Sequence, residues 1–268
     1  MRRSKGRGRG SLTVYRRDAD DAENYERSVR YELTTLGQSK TFNSRSWSRS
    51  QRYNVVYIHV KDMLANSPGF KSLYDKRDIY FESIYADIFS LALLPPTKGH
   101  ASKEKSKLLD MIQGIIDGKV EKKNEKFYLK NSRGNLEFTL LAEGYRKMGL
   151  LYSLIQNETI SSGSILFWDE PEANLNPKLS QQLVSIILEL QRMGTQIILA
   201  THDYVFLKEL ELSRNNTKDS VIYHALFQDQ NGQICCQSAD CLAGIGHNTI
   251  NDTFDNLVVR EIGSTWED

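Results

Sequence analysis

The chain has only three cysteines, Cys235, Cys236 and Cys241, clustered and odd in number. That leaves no disulfide framework and fits a reducing cytoplasm. No histidine or fourth cysteine stands at zinc-ligand spacing beside them, which disfavours a metal site. A half-buried strand with small side chains accounts for them. Long apolar runs are missing as well. None approaches the roughly 18 residues of a membrane-spanning helix, and the N-terminus lacks the apolar segment of a secretory signal. Net charge is almost absent: 35 Lys and Arg against 34 Asp and Glu give +1, so the whole chain has no polyelectrolyte bias. What is present is a globular composition, 40% hydrophobic and 26% charged over 268 residues. That is enough for one large domain, or for a domain with an inserted lobe.

Charge is uneven only at the start. Residues 1–17 hold Arg2, Arg3, Lys5, Arg7, Arg9, Arg16 and Arg17 and no acid. Two readings stand: an arm for the phosphate backbone of DNA, or a loop feeding a strand at Ser11–Tyr15. Residues 18–52 are polar, with a short exposed strand expected around Tyr31–Leu33.

From residue 53 the pattern is clearer. Tyr53–Val60 reads as a buried strand. Short helices are expected at Lys61–Leu64 and Phe70–Tyr74, and longer ones at Asp78–Leu94, stopped by Pro95-Pro96, and at Lys103–Asp117, capped by Gly118. Alternation then predicts three antiparallel strands, Lys119–Lys123, Lys126–Lys130 and Leu136–Leu140, with Val120, Phe127, Leu129, Leu136, Phe138 and Leu140 on one face. A helix follows over Leu141–Ile155, its inner stripe including Met148, Leu151, Tyr152 and Ile155. Two apolar runs, Ile165–Trp168 and Gln196–Ala200, read as buried parallel strands. Between them lies a helix with Asn176 as N-cap, Pro177 in the first turn and Gly194 closing it. A short helix at Tyr204–Leu212, a hairpin around Asn231-Gly232 and a helical tail over Asn251–Ile262 complete the chain.

The chemistry gathers at the ends of the two apolar runs. The first ends in Asp169-Glu170, the second in Thr201-His202-Asp203. An aspartate at the end of a buried strand suits Mg²⁺, which prefers oxygen ligands and keeps several waters. A glutamate one residue later points the other way, where it can orient a water. His202 is placed to meet a terminal phosphate. Together these are parts of a site that hydrolyses a nucleotide γ-phosphate. A merely structural strand with a polar turn competes, but two adjacent acids at a buried strand end need a charged ligand to offset them.

The stretch Ile165-Leu-Phe-Trp-Asp-Glu-Pro-Glu-Ala-Asn-Leu-Asn-Pro177 resembles the Walker B motif and D-loop of ABC/SMC-type ATPases. More narrowly, it is similar to the "AAA family ATPases" of the AAA-15/AAA-21 kind, relatives of the OLD ATPases. Thr201-His202 resembles their H-loop, and Leu141-Ala142-Glu143-Gly144-Tyr145-Arg146-Lys147 falls where they carry a signature motif. The likeness covers roughly residues 53–230. It implies an α/β P-loop NTPase fold: a parallel sheet flanked by helices, a helical insertion at 61–118, an antiparallel β region and a C-terminal tail at 239–268, all within one domain. It also implies ATP and Mg²⁺ as ligands, and a site completed across a dimer or by a partner subunit. By this resemblance Asp169 would hold the metal, Glu170 would serve as base and His202 would sense the γ-phosphate. Asn174 and Asn176 would lie at the dimer interface. Ala142, Glu143 and Gly144 would present a helix N-terminus to the partner-held nucleotide. Glu143 adds an acid beside that phosphate, which Arg146 and Lys147 would offset.

One family element is not found. No Gly-x-x-x-x-Gly-Lys-[Ser/Thr] occurs in the sequence. Thr34–Thr41 offers Lys40-Thr41, but Thr34 and Ser39 stand where glycines must let the backbone wrap phosphates. The expectation is a chain that begins after its P-loop and turns over little ATP alone. The alternative is a non-hydrolysing partner, or a regulatory module associated with DNA. An OLD-type nuclease after residue 238 is not expected.

Overall fold

The fold was obtained as a computed structural model. It describes the backbone of residues 9–16, 27–34 and 39–43, and then residues 54–61, 64, 70, 74, 76, 83–99 and 101–264. The expected helices at 61–64 and 70–74, the side chains of the basic arm and residues 78–82 fall mostly or wholly outside these. The chain divides into two compact units, Met1–Arg52 and Tyr53–Asp268, where the sequence reading placed a single domain.

The first unit is a three-stranded antiparallel sheet of β1 (Arg9–Arg16), β2 (Arg27–Thr34) and β3 (Ser39–Asn43), in that order. The register sets Leu12 against Tyr31 and Val14 against Val29. Lys40 and Thr41 lie in β3, opposite Glu32 and Tyr31. Their backbone is extended and does not open a helix, as the Lys-Thr of a phosphate-binding loop must.

The second unit is built on a parallel sheet of β4 (Val55–Ile58), β8 (Ile165–Asp169) and β9 (Gln196–Ala200), with β8 in the middle. Between β4 and β8 the chain makes α1 (Ser83–Leu93) and α2 (Lys103–Ile116). Three antiparallel strands follow, β5 (Lys119–Lys123), β6 (Lys126–Asn131) and β7 (Gly134–Glu137), and then α3 (Glu143–Gln156). Helix α4 (Ser180–Arg192) connects β8 to β9. Then come α5 (Tyr204–Ser213), the hairpin β10 (Tyr223–Gln228) and β11 (Ile234–Ala239), and α6 (Thr249–Ser264). No helix among the described residues is long and apolar enough to cross a membrane. The three cysteines are free thiols on and beside β11.

Strand alternation explains where the core sits. Val56, Ile58, Leu166 and Trp168 share one face of the parallel sheet and are buried against the helices. Helix α3 is the centre of that layer. It buries Met148, Leu151, Tyr152 and Ile155 as its period predicts, and also Leu150 and Leu154 on its other side. Helix α2 packs against both α3 and α4, so the expected insertion contributes Leu108 and Ile112 to the same core. On the opposite face Val55 is 55% exposed and Ile198 44%. Strands β4 and β8, read from the sequence as buried, are buried on one face, and the inward residues of β9, Ile197 and Leu199, are half-buried. An apolar run shows that a strand has two hydrophobic faces but not what covers each.

Three local expectations are corrected. The left-handed residue ending α2 is Asp117 (φ 51, ψ 48), while the N–H of Gly118 donates to Gln113 O at 3.3 Å. Gly118 is needed for packing: a Cβ there would lie 2.6 Å from Lys130 O on β6. The third antiparallel strand ends at Glu137, and Phe138–Leu140 form a single 3-10 turn. That turn buries Phe138 but leaves Leu140 74% exposed, so strand alternation does not carry through to residue 140. The tight turn at Asn124-Glu125 is as expected, with both residues at positive φ (50 and 60), the geometry of a type I′ hairpin.

Candidate functional site

Strands β8 and β9 are parallel neighbours, with Asp169 paired to Ala200. Their C-terminal ends therefore deliver Asp169-Glu170 and Thr201-His202 side by side. The N–H of Glu170 donates to Ala200 O at 2.8 Å, extending the ladder by one bond. Glu170 then leaves the strand with φ 45, and Asn174 takes φ 61. Two left-handed non-glycine residues in one five-residue turn are strained, and such strain persists only where the surroundings enforce it.

That turn places the side chains. Glu170 Oε1 lies 3.1 Å from His202 Nδ1. Asp169 projects on the same sheet face as Phe167, by strand alternation, and no hydrogen bond or ion pair engages it among the described residues. A half-buried carboxylate in that position fits an oxygen-seeking cation that takes few protein ligands and keeps its waters. No cluster of three or more potential metal ligands occurs among the described residues, so a cage made wholly of protein is not on offer.

Glu172 was not singled out by sequence reasoning. Its Oε1 accepts from the Thr201 hydroxyl at 2.6 Å, and that hydroxyl in turn accepts the Asp203 N–H at 3.1 Å. Its Oε2 is buried without a hydrogen bond. Burial raises the Glu172 pKa above the ordinary carboxyl value; Thr201 and a backbone bond oppose this, while Asp203 and Glu170 add to it. Asp203 also caps α5 by accepting the Phe206 N–H at 2.6 Å. Nothing in the sequence separates Glu172 from the other acids around it.

The start of α3 docks on the same turn. Ala142 is its N-cap residue and supplies no side-chain cap. Gly144 is buried, and a Cβ there would stand 2.7 Å from Asn174 O. Asn174 Nδ2 donates to Glu143 Oε2 at 2.9 Å. Arg146 donates to Leu141 O at 2.6 Å, bracing the helix entry. Lys147 differs from the expectation for it. It is 1% exposed and points inward, with Nζ 3.1 Å from Glu170 O and 3.0 Å from Ala173 O. It does not lie at the exposed helix end where it would offset a charge beside phosphate. A signal was available: Lys147 falls on the buried stripe with Met148 and Leu151. Asn176 is exposed and accepts the Lys178 N–H at 3.1 Å, capping the turn that leads into α4.

No curated protein matches the chain. Among solved structures, an SMC head bound to the C-winged helix domain of ScpA is similar at a TM-score of 0.52 and 12% identity, over 88% of this chain and 75% of that one. The SMC head domain from Thermotoga maritima gives 0.44 and 14%, over 87% and 74%. An Smc head domain derived from Pyrococcus furiosus gives 0.48 and 10%, over 95% and 80%. At such identities the first of these establishes likeness of fold: an α/β P-loop NTPase of the SMC-head type. The family profile described as "AAA domain, putative AbiEii toxin, Type IV TA system" matches residues 4–208, well over half the chain, and the chain belongs to that family of ATPase-like AAA domains.

Proposed function

We propose that this chain takes part in Mg²⁺-dependent ATP binding and hydrolysis, supplying the metal and water half of the site. The observation that supports this most is the Glu170–His202 pair beside Asp169, a carboxylate without a hydrogen-bond or ion-pair partner among the described residues, at the ends of neighbouring parallel strands. In this reading Asp169 would hold Mg²⁺, which would supply positive charge to offset the charge that develops on the phosphate. Glu170 orients the attacking water and accepts its proton. His202 fixes the Glu170 carboxylate and lies toward the γ-phosphate. The N-terminus of α3, at Ala142, Glu143 and Gly144, together with Asn174, serves a nucleotide held by a second copy or a partner subunit. Asn176, exposed two residues further on, would lie at the same interface.

A second reading, a non-hydrolysing partner, is favoured by one observation: Lys40-Thr41 sits in an antiparallel strand and not at the start of a helix. Mg²⁺-ATP turnover and ATP binding by the full chain, measured at rising protein concentration beside Glu170→Gln, separate the two. Turnover abolished by Glu170→Gln supports the hydrolytic reading. Turnover that survives it removes Glu170 from its role. Nucleotide binding without turnover supports the partner reading, and absence of both at every concentration overturns hydrolysis by this chain alone. Association with DNA through the basic N-terminus is tested by salt dependence, since phosphate contacts weaken steeply with added salt; salt-independent or absent binding rules it out.

A further inference from the structure

We propose that Lys147 is a positioning residue for Glu170, acting through the backbone of the turn that follows β8. The inference rests on the reading of Glu170 given above. A lysine that is 1% exposed is rare, because a buried ammonium pays heavily in desolvation unless polar partners surround it. Here the acceptors are the carbonyls of Glu170 and Ala173, at 3.1 and 3.0 Å. These carbonyls bracket the turn: Glu170 is the first of its left-handed residues, and Ala173 immediately precedes the second, Asn174.

Both backbone polar groups of Glu170 are thereby fixed by different elements. Its N–H is held by Ala200 at the end of β9, and its carbonyl by Lys147 of α3 as well as by the Ala173 N–H within the turn. Between them they hold φ at 45, leaving the side-chain torsions as the remaining freedom of the carboxylate. His202 then takes Oε1 at 3.1 Å. Two further contacts tie the same pieces together: Gly144 packs on Asn174 O, and Glu143 accepts from Asn174 Nδ2. The first two turns of α3 and the turn after β8 thus move as one body. An apolar side chain at position 147 would fill the space, but it would leave the Ala173 carbonyl without its donor and the Glu170 carbonyl with only the Ala173 N–H at 3.1 Å, loosening the strained turn.

The test compares Lys147→Met with Lys147→Arg in the full chain. Lys147→Met should remain folded by its unfolding transition. It should also lose the imidazole ¹⁵N signature of His202 Nδ1 bonded to carboxylate, and speed amide exchange across residues 173–175. Lys147→Arg, which keeps donors, should restore both. Where turnover is measurable, kcat should fall about a hundredfold in Lys147→Met with little change in KM, the cost of misplacing a reacting group by about 1 Å. A folded Lys147→Met with the His202 signature and turn exchange unchanged overturns the proposal. If that variant does not fold, the native protein decides. Couplings across the hydrogen bonds from Lys147 Nζ to the Glu170 and Ala173 carbonyl carbons support the proposal, and their absence with the ammonium signal visible refutes it. The spectroscopic arms need no nucleotide, so turnover of the wild-type chain bears on the reading of Glu170 as a base and not on this positioning contact.

Discussion

Glu170 and His202 meet across two strand ends, Oε1 to Nδ1 at 3.1 Å. Nδ1 faces the carboxylate, and Nε2 is the ring nitrogen left for another partner. One residue of this pair faces a water and the other a phosphate in the proposed site, and each sets the other's orientation. His202→Ala should therefore lower kcat by about tenfold to a hundredfold through loss of orientation, with a smaller effect on nucleotide affinity. His202→Asn, which keeps a donor near the same place, should recover part of the loss. Steady-state kinetics with direct measurement of ATP affinity checks this. Equal losses in affinity and kcat would show that His202 acts mainly in binding.

Glu172 gives a pH signature. Its pKa is raised in the folded chain, first by burial, so the folded state binds this proton more tightly than the unfolded state. Its contribution favours folding below the unfolded value of about 4.3 and is lost as pH rises through the folded value. Glu172→Gln keeps an acceptor for Thr201 and cannot ionise. The variant should gain stability relative to wild type as pH rises from about 4 toward neutrality. Urea midpoints across that window report the difference. A difference that does not change with pH would remove ionisation of Glu172 as a cost to folding.

These two side chains show which parts of the molecule the sequence discloses. Asp169, Glu170 and His202 sit at the ends of apolar runs, where strand length alone puts polar residues at a sheet edge, and the parallel pairing of β8 with β9 brings them together. Asn176 and Pro177 announce the turn into α4 through local capping chemistry. Glu172 and Lys147 belong to short polar runs whose direction depends on which element packs behind them. For Lys147 the helical stripe carried that information, but its charge and the neighbouring Arg146 argued for the surface. The exposure of the face carrying Val55 and Ile198 was illegible for a different reason. Hydrophobicity reports affinity for a covering layer, while the identity of that layer is a matter of topology. Leu140 failed through a change of period, where a strand gives way to a 3-10 turn.

Asp117 offers a test of local strain away from the site. It holds φ 51 at the end of α2, where a β-carbon crowds the backbone. Its negative charge also sits at the unfavourable end of the helix dipole. Asp117→Gly removes both costs and adds unfolded-chain entropy, which offsets part of the gain. The net expected change is a stabilisation of about 0.5–1 kcal/mol, measurable as a rise in Tm or urea midpoint. A destabilised variant would mean that the Asp117 side chain makes a compensating bond.

Gly149 and Gly144, one turn and a half apart on α3, should respond differently to alanine. At Gly149 the new Cβ would lie 2.4 Å from Phe138 Cζ and 2.6 Å from Cε2. Phe138 is buried and packs against Phe127 at a centroid distance of 5.7 Å, so the ring has little room to yield. Alanine gains about 1 kcal/mol of helix propensity over glycine, but overpacking a filled core costs about 1–3 kcal/mol, and with both rings fixed the second term wins. Gly149→Ala should lose stability while any turnover per folded molecule stays close to wild type. At Gly144 the atoms met are Asn174 O at 2.7 Å and Leu175 Cδ1 and Cα at 3.0 and 3.1 Å. Relief there means shifting the turn that carries Glu170. Gly144→Ala should therefore disturb His202–Glu170 geometry more than it disturbs the unfolding midpoint. Unfolding curves and the His202 imidazole spectrum, recorded for both variants, separate the cases. Identical profiles for the two would contradict the division of α3 into a core half and a half that governs the turn.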